Sequence, residues 1–290
     1  MTLMQVKFKD RMRQGKPTMN ILLIGCGKMG GAMLSAWLAQ GIIKRGVIVN
    51  RAVYELRQQF KEHSYLLDIY PDVKSLPPDV QVDLVVLGVK PQQMAEMLTE
   101  LAPHLKPEWP ILTIAAGLRQ NYYARYLPQN LVIRAMPNTP VLIGQGMTVA
   151  VGDAKISAPL QTQIETLLQA TGDFFWLHDE EELDAAMSIS GSGPAYFFYL
   201  AESLAKAGIG QGLTEEQAMR LARQTLIGAG ALAAKQNEKT LEHMRRDVTS
   251  PGGVTEATIK VWDNEDAFYT LITTGLTENI KRANELGGKA

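Results

Sequence analysis

The sequence predicts an α/β protein, in which a parallel β-sheet covered by helices is followed by an all-helical part. Three observations predict this class. From Asn20 onward, short apolar runs alternate with helix-length amphipathic stretches, the runs are apolar at consecutive positions, and the chain after Trp176 is rich in Ala, Leu, Glu, Gln and Arg. Consecutive apolar positions are typical of strands that are buried on both faces of a parallel sheet.

The predicted strands are the short apolar runs, and turn residues separate them. The runs are 21–24, 47–49, 84–89, 111–115, 131–135, 147–151 and 174–176. Gly41 is expected to end the first helix. Thr214 and Gln217 have the spacing of a capping box, so a long helix is expected over 217–234. The stretch 194–207 is apolar on most sides, which predicts a helix buried by other helices, either within a bundle or at an interface between subunits.

The composition is that of an ordinary globular protein. The chain has 290 residues, of which 46% are hydrophobic and 20% charged, and its net charge is -1. This length fits two domains better than one. The sequence has no run of about 18 consecutive apolar residues, so no transmembrane helix is predicted. The balanced charge argues against a nucleic-acid-binding surface. We therefore expect a small-molecule partner, no membrane and no nucleic acid.

Cysteine and histidine usage limits the redox and metal chemistry. The single cysteine, Cys26, cannot form an internal disulfide, and the four histidines are scattered, with no CxxC or HExxH motif. These observations predict no metal site and a reducing compartment, which we take to be the cytoplasm.

Three segments are predicted from changes in composition. Residues 1–18 are basic and lack the apolar centre of a secretory signal, so they are expected to be a disordered extension. Residues 19–177 contain the predicted sheet. Residues 178–290 are expected to form the helical domain.

The segment 25–30, with the sequence GCGKMG, follows the first predicted strand and opens the first predicted helix. This strand–turn–helix context makes GxGxxG a signature of a Rossmann-type dinucleotide-binding domain, since the glycines allow a tight turn and close approach of a pyrophosphate to the helix N-terminus. An ordinary glycine turn is the alternative. Cys26 occupies a variable position of the motif and is expected to be inert.

The cofactor preference is predicted from Asn50 and Arg51, which follow the second strand. An NAD-preferring site usually carries a carboxylate here, whereas Arg51 offers a charged fork to a 2′-phosphate. The sequence therefore favours NADPH, with NADH as a weaker cofactor. A solvated arginine at a strand end is the alternative.

No pair of acid and base residues stands out. None of the histidines lies in a catalytic pattern, and the one Tyr-x-x-x-Lys match, from Tyr70 to Lys74, is interrupted by Pro71. This absence suggests a substrate that is already activated toward hydride, such as an iminium ion.

Four segments carry a family resemblance. They are 247–255 (DVTSPGGVT), 89–91 (VKP), 134–140 (RAMPNTP) and 190–196 (SGSGPAY). From about Asn20 to its end, the chain resembles the Δ1-pyrroline-5-carboxylate reductase family. Val254 departs from the Thr or Ala more often found there, but the hydroxyl of Thr255 is retained.

The resemblance implies a two-domain enzyme with a Rossmann-type domain and an all-α dimerisation domain. It implies hydride transfer from NADPH to the imine carbon of 1-pyrroline-5-carboxylate, which gives L-proline in the final step of proline biosynthesis, and a homodimer or a ring of dimers. Thr255 is expected to be catalytic. The expected substrate-binding residues are Ser250, Gly252, Gly253, Val254 and Thr255. The expected cofactor-binding residues are Gly25, Gly27, Lys28, Met29, Gly30, Asn50, Arg51, Val89, Lys90, Pro91, Ala115, Met136 and Asn138.

The residues themselves are consistent with these roles. Ser250 to Gly253 open a predicted helix, whose N-terminal amides suit a carboxylate, although a plain capping turn is the alternative. The segment 136–140 follows a strand at the sheet edge where α/β proteins bind ligands, or it is a rigid turn without ligand contact. Gly191 and Gly193 allow close packing of the backbone or close approach to a ligand.

Two other functions remain open. The first is a β-hydroxyacid dehydrogenase or imine-reductase relative. The hydroxyacid enzymes need a lysine on the helix after the central glycines, and here no lysine occurs between Gly193 and Lys206, about four turns on. The second is a non-catalytic nucleotide sensor, which would not need a substrate-carboxylate site such as 250–255.

Overall fold

The computed structural model describes residues 19–153 and 155–286, which form two compact units. The first contains the chain up to Ser192 and again from Ile280, and the second is Gly193–Asn279. The predicted extension 1–18 lies outside the described residues. The predicted domain boundary at residues 177 and 178 falls inside the first unit, because the helix that follows it packs on the sheet of that unit.

The first unit is built on an eight-stranded sheet with the order β3-β2-β1-β4-β5-β6-β7-β8. Val85 and Val86, which point to opposite faces of a central strand, are both fully buried, as a sheet covered on both sides requires. All seven predicted strands are found. The strands are β1 (Met19–Ile24), β2 (Ile43–Val49), β3 (Leu67–Tyr70), β4 (Leu84–Leu87), β5 (Ile111–Thr113), β6 (Val132–Met136), β7 (Gly146–Val151) and β8 (Gly172–Trp176).

Strand β3 was not among the predicted strands. It is a four-residue strand at the sheet edge, where only Leu67 and Ile69 are buried and their neighbours are half-buried. Two buried residues at alternate positions give too short a pattern to distinguish a strand from a loop. Asp68 lies in this strand and pairs with Arg45 of β2 at 2.7 Å.

The expectation of a parallel sheet is wrong at one position, because β7 runs antiparallel to β6. Nine residues connect the two strands, and five of them form a 3₁₀-helix, Thr139–Ile143. A parallel neighbour needs a crossover of about a dozen residues or more. The connection is therefore too short for a parallel strand, and every other neighbouring pair in the sheet is parallel.

Helices cover both faces of the sheet. One face packs on Trp37, whose indole Nε1 donates to the carbonyl oxygen of Leu167 at 2.9 Å, and the other packs on Leu98 and Tyr123. Gly41, with φ of +65°, follows the end of the first helix as expected. The helices of this unit are α1 (Lys28–Ala39), α2 (Val53–Gln59), α3 (Met94–Leu101), α4 (Gln120–Ala124), α5 (Ala158–Gln169) and α6 (Glu180–Ala186), and a π-helix (Met187–Gly191) follows α6.

The second unit is helical, as predicted. Thr214 and Gln217 form the expected capping box at the start of its longest helix. The helices are α7 (Gly193–Gly210), α8 (Glu215–Lys235), α9 (Leu241–Asp247), α10 (Val254–Trp262) and α11 (Ala267–Leu286), whose last residues belong to the first unit. None of the described helices combines the length and the hydropathy of a bilayer span.

The second unit buries little within one chain. Its buried hydrophobic side chains, among the described residues, are three alanines of α7 and α8: Ala205, Ala218 and Ala222. In contrast, Phe197, Phe198 and Tyr199 are each at least 60% exposed. Large apolar side chains exposed on several sides of one helix are typical of a helix that other helices cover.

Candidate functional site

The glycine turn between β1 and α1 has a geometry that other residues cannot adopt. Gly25 has φ of +87°, a conformation that L side chains rarely adopt. A Cβ at Gly30 would lie 2.7 Å from the carbonyl oxygen of Gly25, and this distance is too short for any side chain. The first and third glycines of the motif therefore fix the turn and the start of the helix, as the strand–turn–helix context predicted.

The middle glycine, Gly27, has open space where a side chain would be, with no atom within 4 Å of an ideal Cβ. Helix α1 begins at Lys28, and its first hydrogen bond runs from the N–H of Gly31 to the oxygen of Gly27 at 2.7 Å. The N–H groups of Lys28, Met29 and Gly30 thus precede the hydrogen-bonded helix. The first turn of this helix contains no acidic residue. These residues fit a pyrophosphate at the helix N-terminus.

A further glycine, Gly88, supports this turn and was not identified from the sequence. A Cβ at Gly88 would lie 2.5 Å from the oxygen of Gly25, and its N–H donates to the oxygen of Ile24 at 2.8 Å. The next residue, Val89, closes the other side, since its Cγ1 would lie 2.7 Å from a Cβ at Gly25. Gly88 lies within the predicted run 84–89, whereas β4 ends at Leu87, and one glycine near the end of an apolar run has many uses.

Two predicted cofactor-binding residues follow Val89. Lys90 is exposed and precedes a short 3₁₀-helix, Pro91–Gln93. Because Gly88 ties the end of β4 to the turn of β1, the structure brings this loop and the glycine turn to the same end of the sheet. The carboxyl ends of parallel strands are where open α/β sheets bind ligands.

Asn50 and Arg51 lie at the end of β2, the neighbour of β1. The side-chain oxygen of Asn50 accepts from the N–H of Ala52 at 2.9 Å, so this side chain stabilises the bend. Arg51 is exposed, and no ion pair is found for it within the described ranges. The adjacent β2 residue Val49 accepts from the N–H of Gly25 at 2.9 Å, which connects this strand end to the glycine turn. Arg51 is therefore available to an anionic ligand there.

The remaining predicted cofactor residues follow β5 and β6. Ala115 and Met136 are buried at the carboxyl ends of these strands. Asn138 is also buried, and its side chain is used within the protein: Oδ1 accepts from the N–H of Met147 at 2.8 Å, and Nδ2 donates to the oxygen of Ser190 at 2.9 Å. The structure thus brings together two of the four segments that carry the family resemblance, 134–140 and 190–196.

A buried charge cluster lies beside this loop. Arg134 of β6 is 2% exposed, and its guanidinium pairs with Glu180 at 2.6 Å and with Asp184 at 3.8 Å. Arg119, which precedes α4, pairs with Asp184 at 2.8 Å and with Glu181. The cluster holds helix α6 on the sheet. Sequence reasoning missed it, because the partners are 46 to 65 residues apart in the chain.

The predicted substrate loop lies in the second unit, between α9 and α10. The backbone turns at Gly252, which has φ of +70°, and helix α10 begins at Val254 after the N-cap Gly253. The predicted helix opening is therefore present. Thr255, the predicted catalytic residue, lies in the first turn of this helix and is exposed.

Not every amide of this loop is open to a ligand. The N–H of Gly252 donates to Oε2 of Glu256 at 2.9 Å, and the N–H of Gly253 donates to the oxygen of Ser250 at 2.9 Å. The first helical hydrogen bond runs from Ala257 to Gly253 at 3.3 Å. The N–H groups of Val254, Thr255 and Glu256 therefore precede the hydrogen-bonded helix, and these donors directly follow the two glycines.

Glu256 was not identified from the sequence either. Its pKa is lowered, chiefly because Lys260 Nζ donates to it at 3.0 Å and also because the N–H of Gly252 does. The carboxylate is thus ionised at neutral pH and fixes the turn. A glutamate three residues after a helix N-cap is a known capping signal, and here it pairs with the residue before the cap.

Cys26, in the glycine turn, is buried. Burial raises the pKa of the Cys26 thiol to about 12, so it carries almost no thiolate at neutral pH. This agrees with its expected inertness. In the parts of the chain that the structure covers, no group of three or more His, Cys, Asp or Glu residues is arranged to hold a metal ion.

A mostly parallel sheet, a glycine turn with open amides after its first strand and a helical unit define the class of this protein as a two-domain protein with a Rossmann-type dinucleotide-binding domain. A family model described as pyrroline-5-carboxylate reductase dimerisation matches residues 180–286, and one described as NADP oxidoreductase coenzyme F420-dependent matches residues 20–117. The pyrroline-5-carboxylate reductase of Pseudomonas aeruginosa is 38% identical over 93% of this chain and 97% of its own length. The chain belongs to the pyrroline-5-carboxylate reductase family.

Two further relatives agree with this assignment. The pyrroline-5-carboxylate reductase of Haemophilus influenzae is 32% identical over 92% of this chain and 97% of its own length. The solved structure of a pyrroline-5-carboxylate reductase from Coxiella burnetii has a TM-score of 0.81 and 31% identity, and it covers 93% of this chain and 98% of that chain. The resemblance that was carried by four short segments is confirmed over almost the whole chain.

Proposed function

We propose that this chain reduces 1-pyrroline-5-carboxylate to L-proline, with NADPH as the preferred cofactor and NADH as a weaker one. The observation that carries this proposal is the start of helix α10, where three N–H groups without helical partners lie in the same turn as the exposed Thr255. The substrate has a matching pair of groups, a carboxylate and a ring nitrogen. Membership of the family supports the same activity.

The carboxylate would be bound by the N–H groups of Val254, Thr255 and Glu256. These donors are fixed before the ligand arrives, because Ser250 and Glu256 satisfy the N–H groups of Gly253 and Gly252. Pre-formed donors lower the entropic cost of orienting the substrate. In this proposal Gly252 and Gly253 shape the loop, and their own amides do not contact the substrate.

The ring nitrogen would accept or share a hydrogen bond with the hydroxyl of Thr255. A cyclic imine is readily protonated, so the hydroxyl orients the ring and supports proton delivery rather than acting as a strong acid. When bound, the reduced nicotinamide supplies the hydride, which adds to the imine carbon. Val254 stands where Thr or Ala is more often found, and this difference leaves the backbone N–H donor at that position unchanged.

NADPH would be held by the first unit. The N–H groups of Lys28, Met29 and Gly30 would bind the pyrophosphate, with Gly25 and Gly27 shaping the turn. Arg51 would bind the 2′-phosphate with its planar, charged fork, beside the bend that Asn50 stabilises. The other proposed contacts come from the ends of the neighbouring strands: Val89, Lys90, Pro91, Ala115 and Met136.

We further propose that the functional form is a homodimer, or a ring of dimers, and that it works in the cytoplasm. The match to a dimerisation domain and the small internal core of the second unit support the dimer. Helices α9, α10 and α11 have no buried residue within one chain. Pairing with a second copy would bury their apolar faces.

One assay tests the reaction. NADPH oxidation is followed with 1-pyrroline-5-carboxylate added and with it omitted, and proline is quantified at the end. Substrate-dependent oxidation with an equal yield of proline is the expected result. If neither this imine nor any other substrate supports NADPH oxidation, a nucleotide sensor is favoured. Turnover of a hydroxyacid instead would favour the dehydrogenase alternative.

A further inference from the structure

Asn138 has a side chain whose two polar ends both bind backbone groups of the protein. It lies two residues after β6 and is 7% exposed. Oδ1 accepts from the N–H of Met147 at the start of β7, and Nδ2 donates to the carbonyl oxygen of Ser190. Because each end of the amide is engaged by the backbone, the orientation of this side chain is fixed within the protein.

The partner of Asn138 is a carbonyl that its own helix does not satisfy in the usual way. Ser190 lies in the π-helix Met187–Gly191, and Pro194, four residues further along the chain, has no N–H to donate to it. The amide of Asn138 donates to this half-buried carbonyl oxygen at 2.9 Å, where proline offers no i+4 donor. The side chain of Asn138 thus joins the loop after β6 to the π-helix Met187–Gly191.

Close apolar packing accompanies this hydrogen bond. A Cβ on Gly191 would lie 3.3 Å from Cγ of Met187 and 3.6 Å from Cγ of Met136, so the backbone of Gly191 is packed near both methionines. Met136 ends β6 and is one of the proposed NADPH-binding residues. A displacement of Ser190 and Gly191 would therefore be transmitted to Met136.

We infer that Asn138 is a positioning residue, which holds the Ser190–Gly191 backbone against the loop after β6 and does not itself bind the cofactor. This inference rests on the proposed function for its effect on turnover, and on the structure for its effect on the backbone. Loss of the Asn138 side chain would let the π-helix shift relative to Met136. The reaction would slow because the proposed binding loop is misplaced, while the pyrophosphate and 2′-phosphate contacts at the glycine turn and Arg51 stay intact.

Two variants of Asn138 and one matched control test the inference. Asn138→Ala removes both hydrogen bonds, and Asn138→Asp removes the donor to Ser190 while keeping an acceptor for Met147. Asn130→Ala is the control, because Asn130 also donates its side-chain amide to backbone carbonyls, those of Lys106 and Trp109, before the other end of β6. If the buried charge of the aspartate variant prevents folding, the alanine variant carries the test.

Three quantities are measured on the full chain: amide hydrogen exchange, the dissociation constant for NADPH, and kcat with 1-pyrroline-5-carboxylate. In the Asn138 variants we expect faster exchange at residues 187–192 and kcat lower by about ten- to a hundredfold, the scale of a small misplacement of reacting groups. The dissociation constant for NADPH should stay within about twofold, since the strong phosphate contacts are unchanged. Asn130→Ala should change none of the three.

Two outcomes would overturn the inference. A dissociation constant for NADPH that rises in proportion to the loss of kcat would make Asn138 a direct cofactor ligand. Unchanged exchange at residues 187–192 would show that the hydrogen bond to Ser190 does not hold the segment. Failure of the unaltered protein to turn over the imine would instead count against the proposed function, and the exchange and NADPH-binding measurements would still decide the role of Asn138.

Discussion

Arg134 and Glu180 form an ion pair at 2.6 Å in which the arginine side chain is only 2% exposed. The same carboxylate oxygen of Glu180 accepts the N–H of Gln120 at 2.8 Å. One carboxylate thus joins strand β6, the start of helix α4 and the start of helix α6. A buried charge held by several hydrogen bonds is strongly coupled to its surroundings, so breaking the pair costs more than the pair itself contributes.

We expect Arg134→Met to lower the free energy of unfolding by about 3–5 kcal/mol, because Glu180 and Asp184 lose their buried cation. Urea unfolding at one fixed protein concentration measures the change. Arg45→Met is the control, since Arg45 pairs with Asp68 but is 54% exposed, and such exposed pairs contribute about 0–1 kcal/mol. Equal effects of the two substitutions would contradict the assignment of a special role to the buried pair.

Two alanine variants of the glycine turn, Gly27→Ala and Gly30→Ala, should separate the effect on NADPH binding from the effect on folding stability. Gly27 has φ of -81° and open space, so Gly27→Ala is expected to leave the melting temperature unchanged and to weaken NADPH binding by filling the space above the helix N-terminus. Gly30→Ala places a methyl group 2.7 Å from the oxygen of Gly25, so it should lower the melting temperature as well. Calorimetry and NADPH titration measure both effects. A destabilised Gly27→Ala protein with normal NADPH affinity would count against the proposed pyrophosphate site.

Arg51→Ala should weaken NADPH much more than NADH. A charge-assisted contact to the 2′-phosphate contributes about 1.5–3 kcal/mol, and NADH lacks this phosphate. Dissociation constants for the two cofactors are compared in the variant, in the unaltered protein and in Arg45→Ala, an arginine near the other end of the same strand. If both cofactors weaken equally, Arg51 is only a solvated surface residue.

Thr255→Ala should lower kcat by roughly ten- to a thousandfold with little change in NADPH affinity, because the hydroxyl contacts the ring nitrogen in our proposal. Thr255→Ser should retain most of the activity. If Thr255 only stabilises the start of helix α10, alanine would cost about 1 kcal/mol of stability and little turnover. Measuring kcat and the melting temperature on the same two variants decides between these roles.

The protein is expected to have a mass in solution of at least twice the 31.9 kDa of one chain. The second unit exposes Phe197, Phe198 and Tyr199 and buries only small side chains of its own, so association should supply most of its core. Light scattering measures the mass, and the melting temperature should rise with protein concentration. A mass near one chain at micromolar concentration would exclude the dimer.

The parts of the fold that were predicted correctly are those with a local chemical signal. Seven strands were recognisable because each is apolar at consecutive positions, and helix α8 was recognisable because Thr214 and Gln217 form its capping box. Strand β3 was missed because it has only two buried residues, and the direction of β7 was missed because strand direction depends on the length of a loop whose ends were uncertain.

The local structure of the proposed site was predictable at the level of segments, whereas its atomic contacts were not. The glycine motif and the loop before helix α10 were located correctly, since turns and helix starts are encoded locally. That Glu256 occupies the N–H of Gly252, and that Asn138 binds Ser190, depends on side-chain directions and on a contact between residues 52 positions apart. Such contacts follow from the folded backbone and leave no periodic signal in the sequence.

The burial of Cys26 has a practical consequence for studying this protein. It is the only cysteine of the chain, and its thiol lies beneath helix α1, where a Cβ on Gly31 would be 3.8 Å from the sulfur. Thiol-directed reagents are attacked by the thiolate, which is scarce because burial raises the pKa of this thiol to about 12. A cysteine introduced at an exposed position, such as Glu238→Cys, would then be the single reactive thiol, so a fluorescent dye or a spin label can be attached there without first replacing the native residue.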